Sequence, residues 1–443
     1  MLGPPQIDYV KVFNKTPNTV VWMDQELESP PLEPMKWTDR VPAPLAHRFG
    51  TNGDFGVDWN AGQRRRIMRP QPLRTADGQA HLLLASPMDP ATGYGYLSCK
   101  IAEELGKRKN LNLSMHSLAY WHPQRTPLAI RDLMAREQEV CKWALVVAIP
   151  TELPNVPAQH LVLYSMWETA ELPGHDKPDD PHGNWANLVN NWAEVVVVPC
   201  EEQKEVFLSA GVTKPIHVVP LGLDSDVYRP NGALKHDVFT IWTHGRLSSR
   251  KSPIELLTEV VWPAIGQYDD WQLVLKTWSG TLGGGKYTPV INDDRVVILD
   301  SGDEPMPAEE MVGYMNKAHV GAYLSKYEGW GMPFREAMAT GLVTLASATS
   351  GHVVDCDPHY NFPVPLVGTA DAGDGYEGTW DLPDYRYART VVRALYDAWK
   401  AGKWDEATMG QEASEWIRQR RSWKQMIDGL LDVIDEVHEG GAA

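Results

Sequence analysis

Short apolar runs alternate with segments of helical apolar spacing from about residue 80 onward. A short apolar run bounded by turn residues predicts a buried strand, and helical spacing between such runs predicts helices that cover a parallel sheet. The predicted strands of the first part are His81 to Ser86, Leu111 to His116, Ala144 to Ile149, Leu161 to Tyr164, Val195 to Val198 and Ile216 to Val219. A helix is expected from Tyr96 to Lys107. This pattern indicates an α/β half.

A second α/β half follows with the same alternation. Its predicted strands are Val238 to Thr243, Trp271 to Lys276, Val296 to Leu299, Val320 to Leu324 and Leu342 to Ala348. Helices are predicted to start at Pro253 and Pro333, and to span Tyr385 to Trp399, Glu412 to Arg418 and Trp423 to Val437. The polar, glycine-rich stretch Gly368 to Leu382 is predicted to be a loop.

The first 77 residues differ from this pattern. Strand-like pieces between Val10 and Trp22 surround a turn, and a proline-rich turn follows, so we expect a small β module or extension at residues 1–77. The remaining chain is predicted to divide into domains at 78–228 and 229–410, with C-terminal helices at 411–443 that return to the first domain.

The stretch Y-E-G-W-G-M-P-F-R-E-A-M-A-T-G, from Tyr327 to Gly341, concentrates the candidate chemistry. It follows a predicted strand, its glycines permit a sharp turn, and Pro333 suits the first position of a helix. A strand, a glycine turn and a helix N-terminus direct several backbone N–H groups at one spot, which favours an anion such as phosphate.

Two carboxylates flank this turn, Glu328 before it and Glu336 in the expected first helical turn. Carboxylates accept hydrogen bonds from sugar hydroxyls. Alternatively, Glu336 only complements the helix dipole. Together with the glycines, the two glutamates predict a diphosphate ligand with a sugar at each end.

A second loop, H-G-R-L-S-S-R-K, carries Arg246 and Lys251 between a strand and a helix. These cations are suited to neutralising a diphosphate. The alternative, two surface cations near a helix start, is disfavoured because cations there oppose the helix dipole unless an anion is bound.

Composition narrows the class of protein. The 443 residues suffice for two domains, and 43% hydrophobic and 22% charged residues are ordinary for a soluble protein. No apolar run reaches the ~18 residues of a membrane span, and the first residues lack a signal-peptide pattern, so a cytoplasmic protein is expected. Four isolated cysteines argue against disulfides and structural zinc.

The pattern E-G-x-G-x-P-x-x-E-A-M-A-x-G resembles the donor-site signature of family 4 retaining glycosyltransferases of the GT-B fold. The resemblance extends from about residue 80 to about 437. It implies two Rossmann-like domains facing each other across a cleft, here with an N-terminal β-containing extension. It also implies transfer of a sugar from a nucleoside-diphosphate sugar to an acceptor hydroxyl.

The resemblance assigns roles residue by residue. Glu328 would contact the transferred sugar, Glu336 the ribose, and Arg246 and Lys251 the leaving diphosphate. Glu168 is the candidate for orienting donor or acceptor, although family members often carry a histidine in that region; His122 is the second candidate. The other predicted donor-binding residues are Gly93, Tyr94, Gly95, Lys276, Gly329, Trp330, Gly331 and Met332.

No metal and no cofactor besides the donor substrate are predicted. Asp224-Ser-Asp226 suggests a metal-binding D-x-D motif, but its place in a linker-like P-x-G-x-D pattern favours a turn. The alternatives left open are a nucleotide-sugar epimerase or hydrolase and an inactive sugar-binding module of the same fold.

The acceptor is the least determined feature. Arginines from Arg64 to Arg74 and a weak likeness of the N-terminal arm to segments of tailed-phage proteins suggest a hydroxymethylated pyrimidine base in phage DNA. The protein would then act in the host cytoplasm. The net charge of −17 argues against this acceptor, and protein, glycan and lipid-linked acceptors remain open.

Overall fold

The computed structural model describes residues 9–14, 37–42, 55–58, 71–76, 78–119, 124–136, 138–174, 183–246, 248–277, 293–301, 306–404 and 406–440. The described chain divides into two compact units, one of residues 1–147 and 155–159 and one of residues 148–154 and 160–443. No helix in the described ranges is long and apolar enough to cross a membrane.

The N-terminal extension contains strands, as the sequence predicts. Strands β1 (Tyr9–Asn14), β2 (Trp37–Pro42) and β3 (Phe55–Asp58) form an antiparallel sheet in the order β2-β1-β3.

The rest of the first unit is α/β. Its parallel strands are β4 (Ala80–Ser86), β5 (Leu111–Ser117) and β6 (Trp143–Val147), and its helices are α1 (Gly93–Gly106) and α2 (Leu128–Ala135). All seven residues of β4 are buried, because β4 is paired on both edges and covered by helices.

The first strands and helices of the second unit are β7 (His160–Tyr164), α3 (Trp185–Trp192), β8 (Ala193–Val198), α4 (Glu201–Ser209) and β9 (Ile216–Val218). The order β5-β4-β6-β7-β8-β9 forms the first of two six-stranded sheets. The predicted strands of this part are therefore confirmed, with no boundary moved by more than two residues.

The second six-stranded sheet lies wholly in the second unit. Its parallel strands are β10 (Phe239–His244), β11 (Trp271–Thr277), β12 (Val296–Asp300), β13 (Val320–Tyr323), β14 (Val343–Ser347) and β15 (Phe362–Val364). Their order is β12-β11-β10-β13-β14-β15, so the order reverses between β10 and β13. In open parallel sheets such a reversal point opens a crevice at the carboxyl ends of the two strands, where ligands bind.

Helices cover both faces of this sheet. They are α5 (Pro253–Glu255, a π-helical turn Leu256–Val261, and Trp262–Ile265), α6 (Ala308–Lys317), α7 (Met332–Ala339), α8 (Ser350–Val353), α9 (Tyr385–Lys400) and α10 (Glu406–Arg420). The last helix, α11 (Trp423–Gly440), packs instead against β8 of the first sheet. Successive strand residues point to opposite faces, so Ile241 packs into one core and Trp242 into the other.

The stretch Gly368 to Leu382 corrects a prediction, because most of it is a β-hairpin. Strands β16 (Leu366–Asp371) and β17 (Thr379–Pro383) pair antiparallel, with Ala370 opposite Trp380. Trp380 is 3% exposed, so one buried aromatic side chain anchors a segment whose glycines and charges resemble a loop. We name this segment, residues 366–383, the hairpin.

Candidate active site

The candidate site lies after the carboxyl ends of β10 and β13, where the order of the second sheet reverses. The loop after β10 carries Arg246 and ends in a 3₁₀ turn, Ser249–Lys251. The loop after β13 carries Glu328 and leads into α7. The topology therefore brings together two loops that are about 80 residues apart in sequence.

The glycine turn before α7 has the geometry that the sequence predicts. Gly331 is the N-cap residue with φ +89°, and a Cβ there would lie 2.2 Å from Cδ2 of His352. Glycine is thus required both by the backbone angle and by the neighbouring ring. Among the described residues no side chain caps this end of α7, so its first N–H groups are directed out of the helix.

The side chain of Trp330 is not part of the predicted phosphate-binding turn. Trp330 is 2% exposed, and the Arg335 guanidinium lies 3.6 Å from its ring centroid. The prediction of a donor contact at Trp330 therefore concerns its backbone and not its ring.

Glu328 is 4% exposed and lies between two cations. One carboxylate oxygen accepts a hydrogen bond from Nζ of Lys251, and the other lies 3.1 Å from Nη1 of Arg250. Burial raises the pKa of Glu328, but Arg250 and Lys251 outweigh it and hold this pKa well below its usual range. Glu328 is therefore an ionised carboxylate in a nearly water-free position.

Arg250 links Glu328 to Glu168. Its Nη2 lies 2.5 Å from Oε1 of Glu168, and its Nη1 donates to the carbonyl oxygen of Tyr327 at 2.5 Å. Burial lowers the pKa of Arg250, but the charges of Glu168 and Glu328 raise it by more than burial lowers it. The pKa of Arg250 therefore lies above its ordinary value. Arg250 is not among the residues predicted from the sequence; its position next to Lys251, before a helix, is the sequence feature that indicates it.

The hairpin also contacts Glu168. The Tyr376 hydroxyl donates to Oε2 of Glu168 at 2.6 Å, and Trp380 Nε1 donates to its backbone oxygen at 2.8 Å. Burial, and then the negative charge of Glu168, raise the pKa of Tyr376, so the phenol keeps its proton. Both carboxylate oxygens of Glu168 thus have a fixed donor.

Glu336 is buried, but it is not in the first helical turn. Helix α7 begins at Met332, so Glu336 is its fifth residue, which weakens the explanation by helix dipole. Its Oε2 lies 3.0 Å from Nε2 of His244, the last residue of β10. Lys276, on β11, lies opposite His244 of β10 in the sheet register and is 8% exposed. Burial lowers the pKa of Lys276, and the charge of Glu336 opposes that effect.

The structure unites most of the predicted residues of the second unit. Lys251 and Glu328 touch, and Arg250 joins them to Glu168. Arg246 lies in the same loop as Lys251 with its side chain exposed.

The predicted glycine loop of the first unit is corrected, because Gly93, Tyr94 and Gly95 form the first turn of α1. The helix begins three residues earlier than predicted because Thr92 caps it, with its hydroxyl accepting from the Gly95 N–H at 3.0 Å.

Some predictions fall outside the described residues. They concern His122 and the arginines at 64–66 and 69. Asp224 forms a turn, with its carbonyl oxygen accepting from the backbone N–H groups of Val227 and Tyr228. Within the described ranges, no three His, Cys, Asp or Glu side chains are grouped to hold a metal ion.

No family model matches the sequence, and no curated protein matches it. Several solved structures match the fold. The crystal structure of HepE of Anabaena, in complex with UDP and glucose, has a TM-score of 0.58 at 14% identity and covers 80% of this chain and 99% of its own.

Two further structures give the same result. Sucrose-phosphate synthase from Thermosynechococcus elongatus matches with a TM-score of 0.58 at 15% identity, over 81% of this chain and 99% of its own. A glycosyltransferase from Rickettsia africae matches with a TM-score of 0.57 at 11% identity, over 81% and 98%. The chain shares the fold of these proteins, and the predicted α/β GT-B fold class is confirmed.

Proposed function

We propose that the protein is a retaining glycosyltransferase that moves a sugar from a nucleoside-diphosphate sugar to an acceptor hydroxyl. The observation that carries this proposal is the buried, ionised Glu328 between Arg250 and Lys251 at the reversal point of a parallel sheet. The solved structure of HepE in complex with UDP and glucose has the same fold, which supports a nucleotide-sugar donor.

The donor would lie along α7 and the loop before it. The uncapped N–H groups at Gly329 to Met332 suit the diphosphate, and Arg246 and Lys251 add positive charge. Glu328 would accept hydrogen bonds from the sugar, and Glu336, next to Lys276, from the ribose. With the donor bound, Lys251 would contact both Glu328 and a phosphate oxygen.

In the reaction, the bond between the sugar's anomeric carbon and the diphosphate oxygen breaks, and a bond from that carbon to the acceptor oxygen forms on the same face. The acceptor proton passes to the departing phosphate oxygen, so the chain need not supply a nucleophile. Negative charge grows on the diphosphate in the transition state, and preorganised cations and N–H groups stabilise it. Because these groups provide the charge, we expect turnover without a divalent metal.

A panel of nucleotide sugars tests this proposal. The purified protein is incubated with each donor, with and without acceptors and EDTA, and released nucleoside diphosphate and product masses are measured. Acceptor-dependent release that resists EDTA, with the product's anomeric configuration retained, is expected. Acceptor-independent turnover would indicate an epimerase or hydrolase instead, and binding without turnover a sugar-binding module.

For the acceptor we propose a hydroxymethylated pyrimidine in DNA, on the strength of the arginines near residues 64–74. Hydroxymethylated DNA is incubated with mixed donors, and its nucleosides are analysed by mass spectrometry. A hexose or pentose mass increment is expected on the modified base. If no donor gives a mass increment on DNA while another hydroxyl acceptor is glycosylated, the glycosyltransferase activity is supported and the DNA acceptor is refuted.

A further inference from the structure

His244 occupies a buried position with polar partners on both ring nitrogens. Its Nδ1 lies 2.9 Å from Nε1 of Trp242 and 3.0 Å from the hydroxyl of Tyr323. Its Nε2 lies 3.0 Å from Oε2 of Glu336. These residues lie on β10, β13 and α7, the elements that meet at the candidate site.

The partners determine where the ring proton lies. An indole N–H can only donate, so Nδ1 of His244 must be an unprotonated acceptor. A neutral imidazole with bare Nδ1 carries its proton on Nε2, which therefore donates to Glu336. Burial also lowers the pKa of His244; Glu336 raises it and Lys276 and Lys251 lower it, and the net change is a decrease.

This arrangement constrains Glu336. A donated hydrogen bond to Oε2 fixes the plane of the carboxylate, and a carboxylate can only accept hydrogen bonds from a ligand. A pair of neighbouring hydroxyls, as on a ribose, is a suitable donor for such an acceptor.

We propose that His244 is a positioning residue, held as its Nε2–H tautomer by Trp242, which sets Glu336 to select ribonucleotides over nucleotides lacking ribose hydroxyls. Ribose selection, which we call the ligand half of the proposal, rests on the proposed function. The position of the ring proton, the tautomer half, rests only on the contacts of His244 with Trp242, Tyr323 and Glu336.

The tautomer is measured in the full-length protein with ¹⁵N-labelled histidine. The His244 signals, assigned by difference from His244→Gln, should show protonated Nε2 and bare Nδ1 between pH 6 and pH 8. In Trp242→Phe, Nδ1 loses the donor that excludes a proton there, and the Tyr323 hydroxyl can accept from Nδ1–H, so the doubly protonated ring should appear at a higher pH than in the unmodified protein. An Nδ1–H or doubly protonated ring in the unmodified protein would overturn the proposal.

Ribose selection is measured by calorimetry with uridine, adenosine and guanosine diphosphates. Whichever binds is compared with its 2′,3′-dideoxy form. His244→Leu should reduce the preference for the ribonucleotide about tenfold, the effect of losing one hydrogen bond to a charged group. His244→Gln, which can still donate to Glu336, should retain most of it. The exposed His359→Leu is the matched control.

An unchanged preference in His244→Leu would contradict the positioning role. If His244→Leu does not fold, the comparison is made with His244→Phe, which also lacks a donor to Glu336: a smaller ribose preference supports the role and an unchanged one contradicts it. If no diphosphate binds the unmodified protein, the proposed function and the ligand half fall together. The nitrogen signals then decide the tautomer half alone.

Discussion

Arg250 lies between two carboxylates, Glu168 and Glu328, and is 6% exposed. Removing one partner of a buried ion pair costs several kcal/mol because the other charge stays buried without compensation. Glu328 and Arg250 therefore stabilise each other's charged state. The site keeps an ionised carboxylate in place before any ligand arrives.

His352 provides a prediction on pH dependence. Burial lowers its pKa from 6.5 to about 3, so the folded protein disfavours the proton that the unfolded chain accepts. The contribution of neutral His352 to the free energy of unfolding is thus fully present above pH 6.5 and is lost as the pH falls toward 3. Between pH 7 and pH 5 this group should remove about 2 kcal/mol from the free energy of unfolding.

Urea unfolding of the unmodified protein and of His352→Asn at both pH values measures this effect. The variant should lose that part of the pH dependence, whereas the exposed His359→Asn should keep it. Equal pH dependence in all three proteins would show that His352 does not titrate this way.

At the scale of single residues, the sequence predicts the glutamates and the Lys251 cation but not Arg250. Glu328 and Lys251 belong to a recognisable spacing on either side of glycines. Arg250 becomes significant only when its side chain is seen to lie between two carboxylates, Glu328 and Glu168, about 80 positions away on either side in sequence. Such long-range pairing has no local sequence pattern.

At the scale of elements, the hairpin differs most from the sequence prediction. It contacts the segment from Glu168 to Glu171, where the carboxylate of Glu171 accepts from the Thr379 N–H at 2.6 Å. Glycine and aspartate within a strand lower its apparent strand propensity, and burial of Trp380 overrides that preference. The remaining strands are predictable because their apolar runs are continuous.

Two turn glycines of the hairpin form a matched pair. Gly375 and Gly378 have φ values of +83° and +96°, so alanine at either costs roughly 1–2 kcal/mol of backbone strain. A Cβ at Gly378 would also lie 2.4 Å from Oε2 of Glu171, whereas nothing lies within 4 Å at Gly375. Gly378→Ala should therefore be the more destabilising substitution.

Thermal unfolding midpoints and limited proteolysis of the hairpin compare the two variants. Gly378→Ala should unfold at the lower temperature and be cleaved faster. Equal midpoints and cleavage rates would contradict the contact between the hairpin and Glu171.

At the scale of the whole molecule, strand order determines where the site can form. The order β12-β11-β10-β13-β14-β15 follows from the alternation of strands and helices only with the aid of the family resemblance, since alternation alone allows several orders. A buried ionic cluster then ties the C-terminal helices to α7, through Arg335. Asp355 lies 2.5 Å from Nε of Arg335 and 2.8 Å from Nη2 of Arg421.

Arg421 lies between α10 and α11, so its loss should loosen that tie. Arg421→Met should lower the free energy of unfolding by about 2–3 kcal/mol, the value of a buried hydrogen bond to a charged group. Arg420→Met, at the exposed neighbouring position, should have a small effect. Chemical denaturation of both variants measures the difference, and equal losses would rule out the Asp355 contact as a stabilising one.

The sugar-transfer role of this pocket is tested most directly by the rate of transfer by Glu328→Gln, which keeps the shape of the side chain and removes its charge. We expect kcat to fall by about 100-fold or more, as for loss of one transition-state contact, while nucleoside-diphosphate binding changes little. The exposed Glu415→Gln should transfer at the unmodified rate. Transfer by Glu328→Gln at that same rate would contradict the assignment of this pocket as the sugar-transfer site.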